Sequence, residues 1–178
     1  TLAPWALRPT IRAEVVRPRN DLELAENIGP CEGGLLPMGM RRSYGDACVN
    51  SGGRHLATDL LDRVEGFEPD CGRITCGAGV SLQQVIETGL GAGWFPMVVP
   101  GTMLSSVGGA VACDVHGKNH HRQGSFASSV VEFELVTADR VVHVCSRERD
   151  AELFWATMGG LGQTGAIRRV MLQLRRVE

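Results

Sequence analysis

A chain of 178 residues is long enough for one α/β domain or for two small lobes that share a site. With 43% hydrophobic residues, 21% charged residues and a formal net charge of -2, it has the composition of an ordinary globular protein. That balance excludes the basic footprint of a nucleic-acid binder and a long acidic tail. No apolar run approaches the roughly 18 residues of a membrane span. The start Thr1-Leu2-Ala3-Pro4-Trp5 lacks the charged and then apolar pattern of a leader. A cytoplasmic protein is expected, one that could touch a membrane from its surface.

In chain order, Glu14 to Arg17 reads as a short strand, and Asp21 as the N-cap of a helix through Asn27 that ends near Gly29. Leu35 to Met38 reads as a second strand, Gly39 to Gly53 as a loop, and His55 to Leu60 as a third strand. Arg63–Phe67 and Arg73–Gly77 suggest a hairpin turned at Glu68-Pro69-Asp70-Cys71-Gly72. Ser81, with Gln84 three residues on, has the spacing of a capping box for a helix to about Thr88. Ser105 to Val115 is dominated by small residues and reads as a tight helical or looped segment. Val131, Phe133 and Leu135 alternate with Glu132 and Glu134 as in a half-buried strand, and Ala138-Asp139-Arg140 turns it into Val141 to Cys145. Asp150 opens a helix, and Val170, Leu172 and Leu174 mark the apolar face of a last strand. The mixture points to an α+β fold of antiparallel lobes.

The six cysteines, at 31, 48, 71, 76, 113 and 145, form no Cys-x-x-Cys pair. They read as free thiols of a reducing compartment, and their spacing argues against structural zinc. The 23 glycines gather in motifs. Gly160-Leu161-Gly162-Gln163-Thr164-Gly165 has Gly-x-Gly-x-x-Gly spacing, but a helix precedes it and a strand follows. This reverses the order that places a pyrophosphate on a helix N-terminus. It is a plain turn or a close approach of backbone to another part of a cofactor.

Gly39-Met40-Arg41-Arg42-Ser43-Tyr44-Gly45-Asp46 can form a concave nest of N–H groups for an anion, or a solvated turn. Pro100-Gly101-Thr102 and Ser105 to Ala110 offer hydroxyls and bare backbone to a flat ring or a diphosphate, or else pack tightly as a helix. In His116-Gly117-Lys118-Asn119-His120-His121 the first and fifth residues have the spacing of a helical metal pair. Gly117 and Asn119 are poor helix formers, so a polar wall around a ligand or a surface loop fits better.

The runs Val99 to Thr102, Val107 to His121 and Gly124-Ser125-Phe126 resemble FAD-linked oxidases of the vanillyl-alcohol-oxidase-like, PCMH-type family. Within it they resemble the branch, related to D-arabinono-1,4-lactone oxidases, that oxidises polyprenyl-phosphate ribose on the way to cell-wall arabinan. Arg42 to Asp46 and Asp150 to Thr157 carry the same likeness, which spans roughly Glu14 to Leu174. The resemblance implies an α+β, PCMH-type FAD-binding fold of two α/β lobes with FAD between them, one about 1–60 and the other about 61–178. It also implies that a following substrate domain is absent.

By the same resemblance, Gly39, Arg42, Ser43, Tyr44, Gly45 and Asp46 would cradle the pyrophosphate. Gly101, Thr102, Ser106, Gly109 and Cys113 would line the FAD, with His116 and Gly117 near its ring. Gly160, Gly165 and Ile167 would touch it from the last loop. His116 and Lys118, with His121 beside them, would be the catalytic groups facing a sugar or alditol hydroxyl, and no metal is implied. Many relatives attach FAD through a His where this chain has Arg42, which implies noncovalent FAD here. Relatives usually have Gly where this chain has Arg41, so a side chain there is expected to crowd the pyrophosphate. The partners implied are FAD, a polyprenyl-phosphate sugar or other alcohol, and a separate reductase. The alternative is a non-catalytic binding or assembly module that keeps the fold.

Overall fold

The computed structural model describes all residues from Thr1 to Glu178. Glu14–Val16 (β1) leads into the helix Asp21–Asn27 (α1), and Leu35–Met38 (β2) and Arg54–Ala57 (β3) follow. Asn20, rather than Asp21, is the N-cap of α1. Its backbone is extended and its side chain accepts the Glu23 N–H at 2.9 Å. Asp21 and Glu23 fall in the first turn, where carboxylates face free N–H groups. β3 is shorter than its sequence suggests, because Thr58 N–H donates to Met38 O and Leu61 N–H to Thr58 O, which turns the chain.

These three strands form a sheet of order β1-β3-β2 with parallel pairing throughout. This corrects the expectation of antiparallel lobes. α1 carries the chain back, so β1 and β2 run the same way, and the loop from Gly39 to Gly53 returns β3 to lie between them.

The second sheet is antiparallel, of order β4-β5-β9-β7-β8. It is built from Val64–Glu68 (β4), Arg73–Gly77 (β5), Val130–Val136 (β7), Val142–Ser146 (β8) and Ala166–Gln173 (β9). The helices Leu82–Leu90 (α2), Val107–Ala112 (α3) and Ala151–Thr157 (α5) pack on it. Trp94–Phe95 (β6) pairs with Arg175–Arg176 (β10), and His120–Gln123 (α4) is a single turn. The Ser81–Gln84 capping box is present at α2. Leu82, Val85, Val107, Val111, Phe133, Phe154, Val170 and Leu172 share one core, in which the Phe133 and Phe154 rings stack at 5.3 Å. Each such side chain contributes roughly 1.5–3 kcal/mol by leaving water.

A smaller core joins the two sheets. Leu24 of α1, Ile28 at its C-cap and Leu56 of β3 pack with Leu61 against Val136 of β7 and Ala166 of β9. This junction fixes the loop that leaves β2 opposite the N-terminus of α3. All six cysteines are free.

Candidate functional site

Two segments face each other across a cleft of about 540 Å³. One wall is the loop leaving β2, from Met38 to Cys48. The other runs from Pro100 through α3 to His116. The walls meet at Gly39. A Cβ there would lie 2.2 Å from Ser106 Oγ, so glycine is what lets the loop press on the cap of α3. Ser106 is buried, and its hydroxyl accepts the Gly109 N–H at 3.3 Å. Gly109 turns bare backbone to the cleft, and a Cβ added there would meet only Ser106 Oγ, at 2.9 Å.

The loop turns sharply. Arg41 has φ +55° and Gly45 φ +62°, both in the left-handed region. The Arg42 guanidinium lies 4.9 Å over the Trp5 ring, and Trp5 N–H donates to Ser43 O. Ser43 Oγ is 3.6 Å from Cys113 Sγ across the cleft. On the far wall, Thr102 Oγ1 accepts the Leu104 N–H at 3.1 Å, and Ser105 Oγ donates to Thr102 O at 3.4 Å.

Ten of the residues singled out in the sequence line this cleft: Gly39, Arg42, Ser43, Tyr44, Gly101, Thr102, Ser106, Gly109, Cys113 and His116. Gly45 and Asp46, between Tyr44 and Ala47 in the same loop, do not line it. Lys118 and His121 are exposed near His116 but do not line the cleft. Gly117, Gly160, Gly165 and Ile167 are not brought to it. A Cβ on Gly117, Gly160 or Gly165 would strike the carbonyl of Val99, Ala156 or Val136, at 2.6, 2.2 and 2.4 Å, so chain packing accounts for these glycines. Ile167 is buried in the large core.

The Gly160–Gly165 loop does reach the cleft, by a residue the motif hides. Leu161, at φ +53°, donates its N–H to Ala112 O at 2.8 Å and lines the cavity. Trp5, Met40, Arg41 and Cys48 also line it and were not singled out as ligands. Trp5 and Leu161 arrive from distant parts of the chain, so no local pattern marks them. The His116, His120 and His121 rings meet edge to face, at 5.6 and 6.0 Å between centroids. His120 Nδ1 is 3.2 Å from Gly117 O, and no group of three His, Cys, Asp or Glu side chains is placed to hold a metal.

The cavity is lined by Gly, Ala, Ser, Thr and Cys together with larger side chains such as Trp5, Met38, Met40, Tyr44, Val115 and Leu161, with two guanidiniums on the loop and an imidazole on the opposite wall. Small residues admit a flat ring, and hydroxyls with cations suit a diphosphate. FAD has both parts, and the donor set fits it.

The profile of a family described as an FAD binding domain matches residues 13–146, and the chain belongs to that family. Its cofactor is FAD. The chain is 41% identical over 146 residues to decaprenylphosphoryl-beta-D-ribose oxidase of Mycolicibacterium smegmatis, covering 82% of this chain and 32% of that one. It is 30% identical over 146 residues to mitochondrial L-galactono-1,4-lactone dehydrogenase of Arabidopsis thaliana, covering 82% and 22%. It is 31% identical over 108 residues to cytokinin dehydrogenase 3 of Oryza sativa subsp. japonica, covering 61% and 20%. The chain thus spans about a third or less of the length of these relatives.

Proposed function

We propose that this chain is the flavin module of an oxidoreductase that oxidises a secondary hydroxyl of a sugar or alditol, most specifically the 2'-hydroxyl of a polyprenyl-phosphate ribose. The observation that carries the reading is the cleft of small residues and hydroxyls with His116 on its wall. The named activity of the relative from Mycolicibacterium smegmatis supports the substrate. When bound, FAD supplies the acceptor for the hydride that leaves the carbinol carbon.

The residues of the chain bind and position. The Gly39–Asp46 loop, with Arg41 and Arg42, would meet the diphosphate. Gly101, Thr102, Ser106, Gly109 and Cys113 would form the floor, and Leu161 would shield one side from water. His116 would hold the hydroxyl and accept its proton, with exposed Lys118 orienting the anionic end of the substrate. Oxidation at the 2'-carbon leaves a ketone, so a separate reductase would complete an epimerisation. A cytoplasmic protein that meets its lipid-linked substrate at the membrane surface belongs to the same reading. No helix is long and apolar enough to cross a membrane.

To test this, the FAD-loaded protein at its full gene length, since this chain alone is not expected to turn over a lipid-linked sugar at a useful rate, is mixed without oxygen with a polyprenyl-phosphate ribose and with the same lipid lacking the 2'-hydroxyl. Bleaching of the flavin band by the first alone is expected. Equal bleaching by both, or by neither at saturating lipid, overturns the substrate assignment.

A further inference from the structure

We propose that Cys48 and Cys113 form an oxidant-responsive thiol pair that closes as a disulfide across the cleft, in competition with FAD. Both line the same cavity, Cys48 at the end of the loop leaving β2 and Cys113 at the C-cap of α3. Ser43 lines the cavity with both, and its hydroxyl is 3.6 Å from Cys113 Sγ. The other four thiols are placed differently. Cys76 and Cys145 are fully buried in the core of the large sheet, Cys71 is exposed at the β4–β5 turn, and Cys31 lies in the loop before β2.

The pair is asymmetric. Cys113 is half-exposed to the cleft, whereas burial pushes the Cys48 thiol up. Cys113 therefore meets a peroxide first. Its thiolate attacks one oxygen of hydrogen peroxide, the O–O bond breaks, and the departing oxygen takes a proton and leaves as water. The Cys48 thiolate then attacks the sulfenic sulfur, the S–O bond breaks and a second water leaves. Two thiols lose two electrons and two protons, and one peroxide becomes two waters.

A bridge spans only Cα separations of about 4.4–6.8 Å, so it draws the loop onto α3 and narrows the cavity that FAD must enter. FAD between the walls holds the sulfurs apart. Linkage then requires that oxidation weaken FAD binding by the same factor by which FAD disfavours the disulfide.

The experiment equilibrates the whole chain in glutathione redox buffers with and without saturating FAD, then alkylates it and maps the cysteines by mass. In parallel, FAD affinity is measured on the reduced and the peroxide-treated protein. A linked Cys48–Cys113 peptide is expected, less of it when FAD is present, with FAD affinity falling at least about tenfold on oxidation and recovering with dithiothreitol. Cys48→Ser and Cys48→Ala should each keep FAD affinity unchanged by the same peroxide dose. Bridges dominated by any other pair, a disulfide yield indifferent to FAD, or an equal loss of affinity in the Cys48 variants would overturn the proposal. Because the mapping uses the unmutated chain, a variant that folds poorly does not decide it. Failure of reduced protein to bind FAD would count against the cofactor site instead.

Discussion

Arg168 of β9 holds Asp21 of α1 in an ion pair of 3.0 Å, and this contact ties the small parallel sheet to the large antiparallel one. The same guanidinium donates from Nε to Glu134 of β7 at 2.5 Å, and the neighbouring Arg169 reaches Glu134 at 2.9 Å and Glu65 at 2.5 Å. Burial alone would raise the Glu134 carboxyl, but the hydrogen bonds and charges of Arg168 and Arg169 outweigh it and hold the group below its usual 4.5. Its folded value is therefore lower than its unfolded one. The stability it contributes is complete above 4.5 and is lost as pH falls through the folded value. Arg168→Met should lower stability by about 1 kcal/mol near neutral pH, and Asp21→Asn by less, because Asp21 is more exposed and solvent screens it. Denaturant midpoints at neutral and acid pH check both. An Arg168→Met loss that persists undiminished at acid pH would show that packing, not charge, carries the effect.

His55 gives a second acid response in a different window. It is fully buried in β3, its Nε2 accepts the Asn50 N–H at 3.0 Å, and its Nδ1 has no partner. The bond to Nε2 places the proton of the neutral ring on Nδ1. Burial holds the group below its ordinary 6.5. The unfolded chain takes up a proton that the folded chain refuses. The contribution of His55 is thus full above 6.5 and shrinks as pH drops from there toward the folded value. His55→Gln keeps an acceptor for Asn50 but does not titrate. Between about pH 7.5 and about pH 5.5 the parent should lose more stability than this variant, with a slope of up to about 1.4 kcal/mol per pH unit. Equal losses in thermal or urea unfolding would remove His55 from the account.

How much of this was legible in the sequence depended on the range of the interactions involved. The Ser81–Gln84 box and the Leu35–Met38 strand were readable because cap and strand chemistry lie within four residues. The loop from Gly39 and the floor from Gly101 to His116 were readable as motifs of hydroxyls and bare backbone. Parallel pairing of β1, β3 and β2 was not, since alternation in a three-residue strand says nothing about its neighbour's direction. The glycines of the Gly160–Gly165 loop drew attention, yet they serve packing, and Leu161 faces the cleft. A motif records where the backbone is tight without recording what it is tight against.

The floor of the site is tested most directly at Gly109. Its backbone faces the cleft and nothing but Ser106 Oγ limits a small addition. Gly109→Leu should therefore remain folded but fill the cavity, lowering FAD affinity by at least about a hundredfold, or nearly 3 kcal/mol. Titration of flavin fluorescence, with circular dichroism as the folding control, reads both quantities. Unchanged affinity in a folded Gly109→Leu would place FAD elsewhere.

FAD should be held without a covalent bond. The family resemblance implies that Arg42 stands where many relatives attach FAD through a His, and its guanidinium packs over Trp5 at 4.9 Å. A guanidinium stays protonated and offers no nucleophilic lone pair. Acid precipitation should leave the yellow cofactor in the supernatant. Colour that stays with the pellet after washing would reveal another attachment residue.

Arg41 sets two effects against each other. Its φ of +55° lies where glycine rests freely and a side chain costs about 1–2 kcal/mol. Replacing it by glycine removes that strain but adds freedom to the unfolded chain worth roughly 0.5–1 kcal/mol, so a small net gain in stability is expected. For binding, the side chain lines both the main cleft and an adjoining hollow of about 350 Å³ at the ends of the parallel strands. There it crowds the backbone approach to a diphosphate. Its charge works the other way, and a desolvated guanidinium–phosphate contact would be worth about 1.5–3 kcal/mol. Arg41 is exposed, however, and solvent screening reduces an exposed contact to about 0–1 kcal/mol. Crowding and strain therefore win, and Arg41→Gly should tighten FAD binding several-fold, with a weaker dependence on salt than the parent shows. Titrations at low and high ionic strength separate the terms. A looser complex at low salt that matches the parent at high salt would show that the guanidinium holds the diphosphate.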